Sequence, residues 1–142
     1  VKYLLDTDHV SILQRGSGAE FDALAARIAR NDPVDLAFSI VSFHEQVLGC
    51  HTYIVRARDP AGVVRGYTML NRVIRDFAAA TVLPFDTLAA VEFDRLVALR
   101  PRISTMDLRI AAIAVSRGLV LLTRNAGDFR RVAGLLMDDW TR

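Results

Sequence analysis

Three acids far apart in the chain, Asp6, Glu45 and Asp107, each stand where an apolar run gives way to a helical pattern or heads one. Asp6 closes the apolar run 1–5 and opens Asp6-Thr7-Asp8; Glu45 ends Ser42-Phe43-His44-Glu45, just after the apolar run 36–41. Asp107 has Ile110, Ala111, Ala114 and Val115 at i+3, i+4, i+7 and i+8, which puts it on an apolar helical stripe. An unpaired carboxylate on such a stripe is expensive, and Asp6 has the same problem at the end of its strand. A fourth stretch, Thr123-Arg124-Asn125-Ala126-Gly127-Asp128, follows the apolar residues 119–122. Converging carboxylates repel one another and resist ionisation unless a cation neutralises them. Every donor here is a hard oxygen, which selects Mg²⁺ or Mn²⁺ over zinc, with water and substrate phosphate completing an octahedral shell.

Each acid also has a structural reading. Ser42-x-x-Glu45 matches a capping box, and Ser104-x-x-Asp107 is a shorter relative. Asp8 and Asp128 are placed as ordinary helix caps would be. His9, His44 and His51 lack zinc-site spacing and read as local hydrogen-bonding or surface groups. Cys50, the only cysteine, excludes an internal disulfide and reads as a small buried apolar side chain. No phosphate loop, dinucleotide fingerprint or nucleophile elbow is present in the sequence, so a nucleotide cofactor has no support.

The elements that must carry these acids alternate. Strands are expected at 1–5, 36–41, 81–84 and 119–122, with a short fifth at 135–137 whose place in the sheet the sequence leaves open. Helices are expected at 10–15, 21–28, 42–58, 63–79, 87–99 and 105–117, the third and fourth forming an αα-hairpin across Pro60-Ala61-Gly62. Gly118 terminates the last of them. This alternation implies an α/β fold with a mainly parallel sheet of four to five strands between helices. Ligand sites in such sheets lie beyond the carboxyl ends of the strands, and that is where the acids fall.

With 142 residues, 52% of them hydrophobic, the chain suits one domain spanning 1–142. Its longest uncharged stretch, 46–55, falls far short of the roughly 20 residues that cross a bilayer, so no membrane association is expected. Asp6 interrupts the N-terminal run before a signal-peptide core develops, which makes the cytoplasm the expected location. Lys2 is the only lysine among 18 basic residues; the rest are arginines, the side chain best matched to phosphate. Arg56, Arg58, Arg65, Arg72 and Arg75 cluster around the expected αα-hairpin with few acids among them, as a surface that tracks an RNA backbone or a solvated helix face would have.

Four blocks in order, Leu4-Leu5-Asp6-Thr7-Asp8, Ser42-Phe43-His44-Glu45 with Gly49, Met106-Asp107-Leu108-Arg109-Ile110-Ala111-Ala112, and Thr123-Arg124-Asn125 with Asp128-Phe129, resemble PIN-domain ribonucleases of the VapC toxin type. The closing Asp139-Trp140 is similar to that family's usual ending. The resemblance covers nearly the whole chain. It implies a three-layer PIN-like fold and a Mg²⁺-dependent endoribonuclease, for which Mn²⁺ is a substitute, neutralised by a cognate VapB-type antitoxin. It also implies a homodimer that aligns two sites in one groove. By the family's pattern Asp6 and Asp107 hold the metal and Glu45 completes the acidic triad. Asn125 stands where relatives often have aspartate, which leaves Asp128 as the candidate for the fourth charge; Thr7, Asp8 and Thr123 are supporting candidates.

Two other readings remain at this point. Asp6-Thr7-Asp8-His9-Val10 also satisfies the strand-end motif of haloacid-dehalogenase-type phosphatases, but that chemistry needs a downstream lysine and Lys2 lies upstream. A PIN-like module that binds RNA or protein without cutting is the other, kept open by the amide at Asn125.

Overall fold

The computed structural model describes residues 1–142. Five strands, β1 (Tyr3–Leu5), β2 (Leu36–Ser39), β3 (Val82–Leu83), β4 (Val120–Leu122) and β5 (Leu136–Asp138), form one sheet in the order β3-β2-β1-β4-β5. Every adjacent pair is parallel. The helices are α1 (Thr7–Arg15), α2 (Ala19–Ala29), α3 (Ile40–Arg56), α4 (Pro60–Ala78), α5 (Thr87–Ala98), α6 (Thr105–Arg117) and the single turn α7 (Ala126–Phe129). The fifth strand, unplaced by sequence, pairs Val120 with Leu136 at the β4 edge.

Strand alternation creates three layers. Leu4, Ala37 and Leu121 point into a core built with α5 and α6, while Leu5 and Leu122 point into a second core with α1, α2 and α4. On α6, Ile110, Ala111, Ala112, Ile113 and Ala114 are wholly buried, so this helix is enclosed and its position is fixed. Because β2 lies on one side of β1 and β4 on the other, the chain reverses its winding at β1. The crevice beyond the carboxyl ends of β1 and β4 is therefore the switch point where such sheets bind ligands.

Four helices begin earlier than their sequence patterns suggest, α1 at Thr7, α2 at Ala19, α3 at Ile40 and α4 at Pro60, and two of these starts are set by residues that end strands. Residues 40 and 41, Ile and Val, read as strand, yet α3 starts at Ile40 because the Ser39 hydroxyl accepts the Ser42 N–H at 3.0 Å and closes the strand there. Likewise α1 starts at Thr7, three residues before the expected 10, because the Asp6 carboxylate caps it by accepting the His9 N–H at 2.7 Å. The caps of α6 follow the sequence, whereas Pro60-Ala61-Gly62, expected as a turn, forms the first turn of α4 because Asp59 caps the helix there. Ser104 accepts the Asp107 N–H at 3.1 Å, Asp59 accepts the Gly62 N–H at 2.7 Å with Pro60 at the first helical position, and Gly118 ends α6 in the left-handed region. No helix is long and apolar enough to cross a membrane.

Candidate active site

Asp6, Thr7, Asp8, Glu45, Asp107 and Asn125, together with Ser11 and Phe129, line one cleft of about 430 Å³ beyond the ends of β1 and β4. Each acid arrives on a different element: Asp6 caps α1, Glu45 lies in the second turn of α3, and Asp107 lies in the first turn of α6. No arginine, lysine or histidine lines the cleft. Burial is the main force holding the Glu45 carboxyl above its ordinary pKa; the charges of Asp107 and Asp6 add to it, against a pull from the Thr7 hydroxyl and His44. Burial likewise raises Asp107, with the charges of Asp6 and Asp128 behind it and the Ser104 hydroxyl opposing. The mutual repulsion of these acids shows that the three elements bring them together in one negative cup.

Thr7 orders this cup. Its hydroxyl donates to Glu45 Oε1 at 2.8 Å and lies 2.9 Å from Ser42 Oγ, which in turn accepts from the Ser39 hydroxyl at 3.3 Å. The Glu45 carboxylate thus answers to Thr7, and the capping-box pairing with Ser42 is not formed, because Ser39 is the cap of α3. A reciprocal amide pair, Gln14 with Gln46 at 2.9 and 2.7 Å, ties α1 to α3 beside the cup, and Gln14 also donates to Asp76 on α4 at 3.0 Å. Ser39 and this glutamine pair escape a sequence reading, and Ser42, read as a cap, instead meets the Thr7 hydroxyl; the missing signal is that β2 ends at Ser39, which brings its hydroxyl to the strand end.

The supporting candidates separate. Asp8 lines the cleft, but its carboxylate accepts from Arg124 Nε at 2.7 Å, and Arg124 also pairs with Glu20 at 2.7 Å. Its charge is thereby largely answered. Asn125 lines the cleft and donates its amide to Asp128 Oδ2 at 3.0 Å, so Asp128 stands behind the amide and acts on Asp107 through its field. Thr123 is buried away from the cleft and accepts the Asn125 N–H at 2.9 Å, shaping the loop between β4 and α7.

A slightly larger hollow of about 490 Å³ sits at the tip of the α3–α4 hairpin and gathers Arg56, Arg58 and Arg65 with Tyr53 and Asp59. It lacks converging acids, so the chemistry belongs to the smaller cleft. Gly49 lines this hollow one helical turn beyond Glu45, so cup and arginines share one side of α3. Arg72 lines a separate hollow with Ser11 and Arg15, next to the cup; Arg75 lines none of these. None of the five arginines is ion-paired with a carboxylate. Lys2, the residue a phosphatase mechanism would need, is paired with Asp35 on the surface at 3.8 Å and does not reach the cleft.

The donor set suits a hard divalent cation: carboxylate, amide and hydroxyl oxygens line the cleft, and its acids have no cation but Arg124. No three His, Cys, Asp or Glu side chains close on a common point. A site of that width matches an ion that keeps several waters and is held by one or two carboxylates, rather than a tightly ligated zinc.

No family model matches the chain. The tRNA(fMet)-specific endonuclease VapC of Salmonella typhimurium is 31% identical over 109 residues, covering 74% of this chain and 75% of its own. The chain belongs to the VapC family. Two solved structures agree with that placement. The toxin–antitoxin pair VapBC from Salmonella typhimurium, bound to DNA, matches over 99% of this chain and 98% of its own with a TM-score of 0.75 and 25% identity. VapBC-1 from nontypeable Haemophilus influenzae covers both chains fully with a TM-score of 0.77 at 21% identity, and so speaks for the fold alone. The three-layer α/β PIN architecture expected from the sequence blocks is the one found, with the sheet of five strands parallel throughout.

Proposed function

We propose that this VapC-family chain is a Mg²⁺-dependent endoribonuclease toxin that hydrolyses RNA phosphodiesters and is neutralised by a cognate VapB-type antitoxin. The observation carrying the proposal is the convergence of Asp6, Glu45 and Asp107, from three separate elements, in one cleft with no basic side chain. Asp6 and Asp107 are the residues that would hold the metal. Mg²⁺, or Mn²⁺ in its place, supplies charge neutralisation and Lewis acidity toward phosphate oxygen and water.

The chain's own groups do the rest. Thr7 fixes Glu45 through Oε1, which leaves Oε2 as the atom to accept a proton from the attacking water. Burial and neighbouring acids, by raising the Glu45 pKa, strengthen it as a base relative to a solvated carboxylate. Asn125, held by Asp128, contributes an uncharged oxygen or amide to the rim where relatives often place an acid. Because water is the nucleophile, cleavage leaves 5′-phosphate and 3′-hydroxyl ends. Arg56 sits about 16 Å along α3 from Glu45, and Arg58 and Arg65 gather with it at the hairpin tip, an offset that suits backbone contacts upstream or downstream of the scissile bond.

A VapB-type partner covering the acidic groove is supported by the VapBC assemblies that the fold matches; a homodimer and a cytoplasmic location complete the proposal. Incubating the purified chain with structured RNA in Mg²⁺ or in chelator, and typing the new ends, tests it. Cleavage to 5′-phosphates only in Mg²⁺, suppressed by the antitoxin, is the expected result. RNA that is bound equally in both conditions and stays intact would instead identify a non-cutting PIN-like module.

A further inference from the structure

His9 is wholly buried one turn into α1, yet the reaction as proposed gives it no task. Its ring bridges two parts of the molecule that are far apart in sequence. On one side Nδ1 lies 3.3 Å from Asp6 Oδ1, off hydrogen-bond alignment, and it is the only buried side-chain nitrogen or oxygen in the protein without a hydrogen-bond partner. On the other side Nε2 accepts the Trp140 N–H at 3.4 Å. An Nε2 that accepts carries no proton, so the ring's proton resides on Nδ1 and faces the Asp6 carboxylate. Asp139, 3.8 Å from Nε2, does not compete for that proton, because its Oδ1 already accepts the Thr141 N–H at 2.9 Å and the Thr141 hydroxyl at 2.5 Å.

A buried N–H with no other acceptor is costly to leave unmet, and a small rotation of the Asp6 carboxyl meets it. The same oxygen already caps α1 through the His9 N–H at 2.7 Å, so with that rotation His9 would hold Asp6 from its backbone and from its ring. That double hold would dedicate Oδ1 to the protein and leave Oδ2 free for the cleft. The far end of the ring is equally fixed: Trp140 stacks on Tyr3 of β1 at 4.7 Å between ring centroids and donates its indole N–H to Asp138 at 3.0 Å.

We propose that His9 is a positioning residue whose Nδ1 side orients the Asp6 carboxylate for the cation and whose Nε2 side anchors it to the C-terminal Asp139-Trp140 segment. The inference rests on the reading of Asp6 as a metal-holding residue. It explains why the C-terminal segment, which supplies nothing to the cleft, packs under it.

Three substitutions separate the two ends of the ring. Asn superposes an amide on Nδ1, Gln superposes one on Nε2, and Leu supplies neither. Mn²⁺ binding to the full-length chain, followed by the EPR signal of free Mn²⁺, is read beside the thermal unfolding temperature. His9→Asn is expected to bind Mn²⁺ within about threefold of the native chain but unfold at a lower temperature; His9→Gln is expected to keep its unfolding temperature but bind about 10-fold more weakly. His9→Leu should lose both. The inference is overturned if His9→Gln binds Mn²⁺ as the native chain does, or if His9→Asn binds as weakly as His9→Gln. A native chain that takes up no Mn²⁺ would overturn the metal reading itself, and the role of His9 with it.

Discussion

Asp6 has two parts to play with one carboxylate: Oδ1 caps α1, and the residue lines the cleft. Asn caps a helix about as well as Asp does, so Asp6→Asn should unfold at no lower temperature than the native chain while losing roughly 100-fold or more of its cleavage rate. Asp6→Ala should lose the cleavage and, in addition, about 1 kcal/mol of stability from the missing cap. A cleavage assay beside a denaturation curve for the pair distinguishes the two jobs. The Thr7 hydroxyl tethers Glu45, so Thr7→Val, which keeps the shape and removes the hydroxyl, is expected to lower kcat by about 10-fold with KM little changed. An unchanged kcat would mean that Glu45 needs no such tether.

At the level of elements, the α3–α4 hairpin is held together by close contact at Gly66, where an added Cβ would lie 2.4 Å from Ile54 Cγ1 and 3.2 Å from Tyr53. Gly49, on the exposed side of α3, has open space around it. Gly66→Ala is therefore expected to destabilise the protein by about 1–3 kcal/mol despite alanine's better helix propensity, and Gly49→Ala to stabilise it by up to about 1 kcal/mol; chemical denaturation reads both. Replacing Arg56, Arg58 and Arg65 together with Ala should weaken RNA binding and lower the log–log salt slope by about 2, with the rate at saturating RNA nearly retained. The helices and their alternation with strands were legible because apolar periodicity and signals such as Ser104 and Gly118 are local; the order of strands within the sheet and the Asp59 cap of α4 were not. The starts of α1 and α3 were not, because Asp6 and Ser39 end strands and cap helices at once, and only the three-dimensional pairing shows which role takes the residue. The acids were legible for the opposite reason: a carboxylate at the end of a buried strand or on an apolar stripe is out of place locally. Whether Asp8 carries free charge was illegible, since its partner Arg124 lies 116 residues away.

For the molecule as a whole, the acidic cup couples folding to protons and metal. Glu45 and Asp107 have folded-state pKa values above their ordinary ones, so on raising the pH the unfolded chain gives up these protons first. Without metal, their contribution to stability is thus intact below the ordinary carboxylate range and falls as pH climbs through the raised values. The double variant Glu45→Gln, Asp107→Asn should be more stable than the native chain at neutral pH in chelator, with the gap closing as the pH drops below that range. Mg²⁺ should reverse the order at neutral pH by stabilising only the native chain, by about 2.7 kcal/mol at 100 times its Kd. Unfolding temperatures across pH, with and without Mg²⁺, check both statements. The most direct test of the metal cup is the anomalous scattering of Mn²⁺ in crystals of the native chain. A peak within coordinating distance of Asp6 and Asp107, in the cleft that Glu45 lines, is the predicted result; Mn²⁺ bound elsewhere, with these three carboxylates directed to separate surfaces, would contradict it.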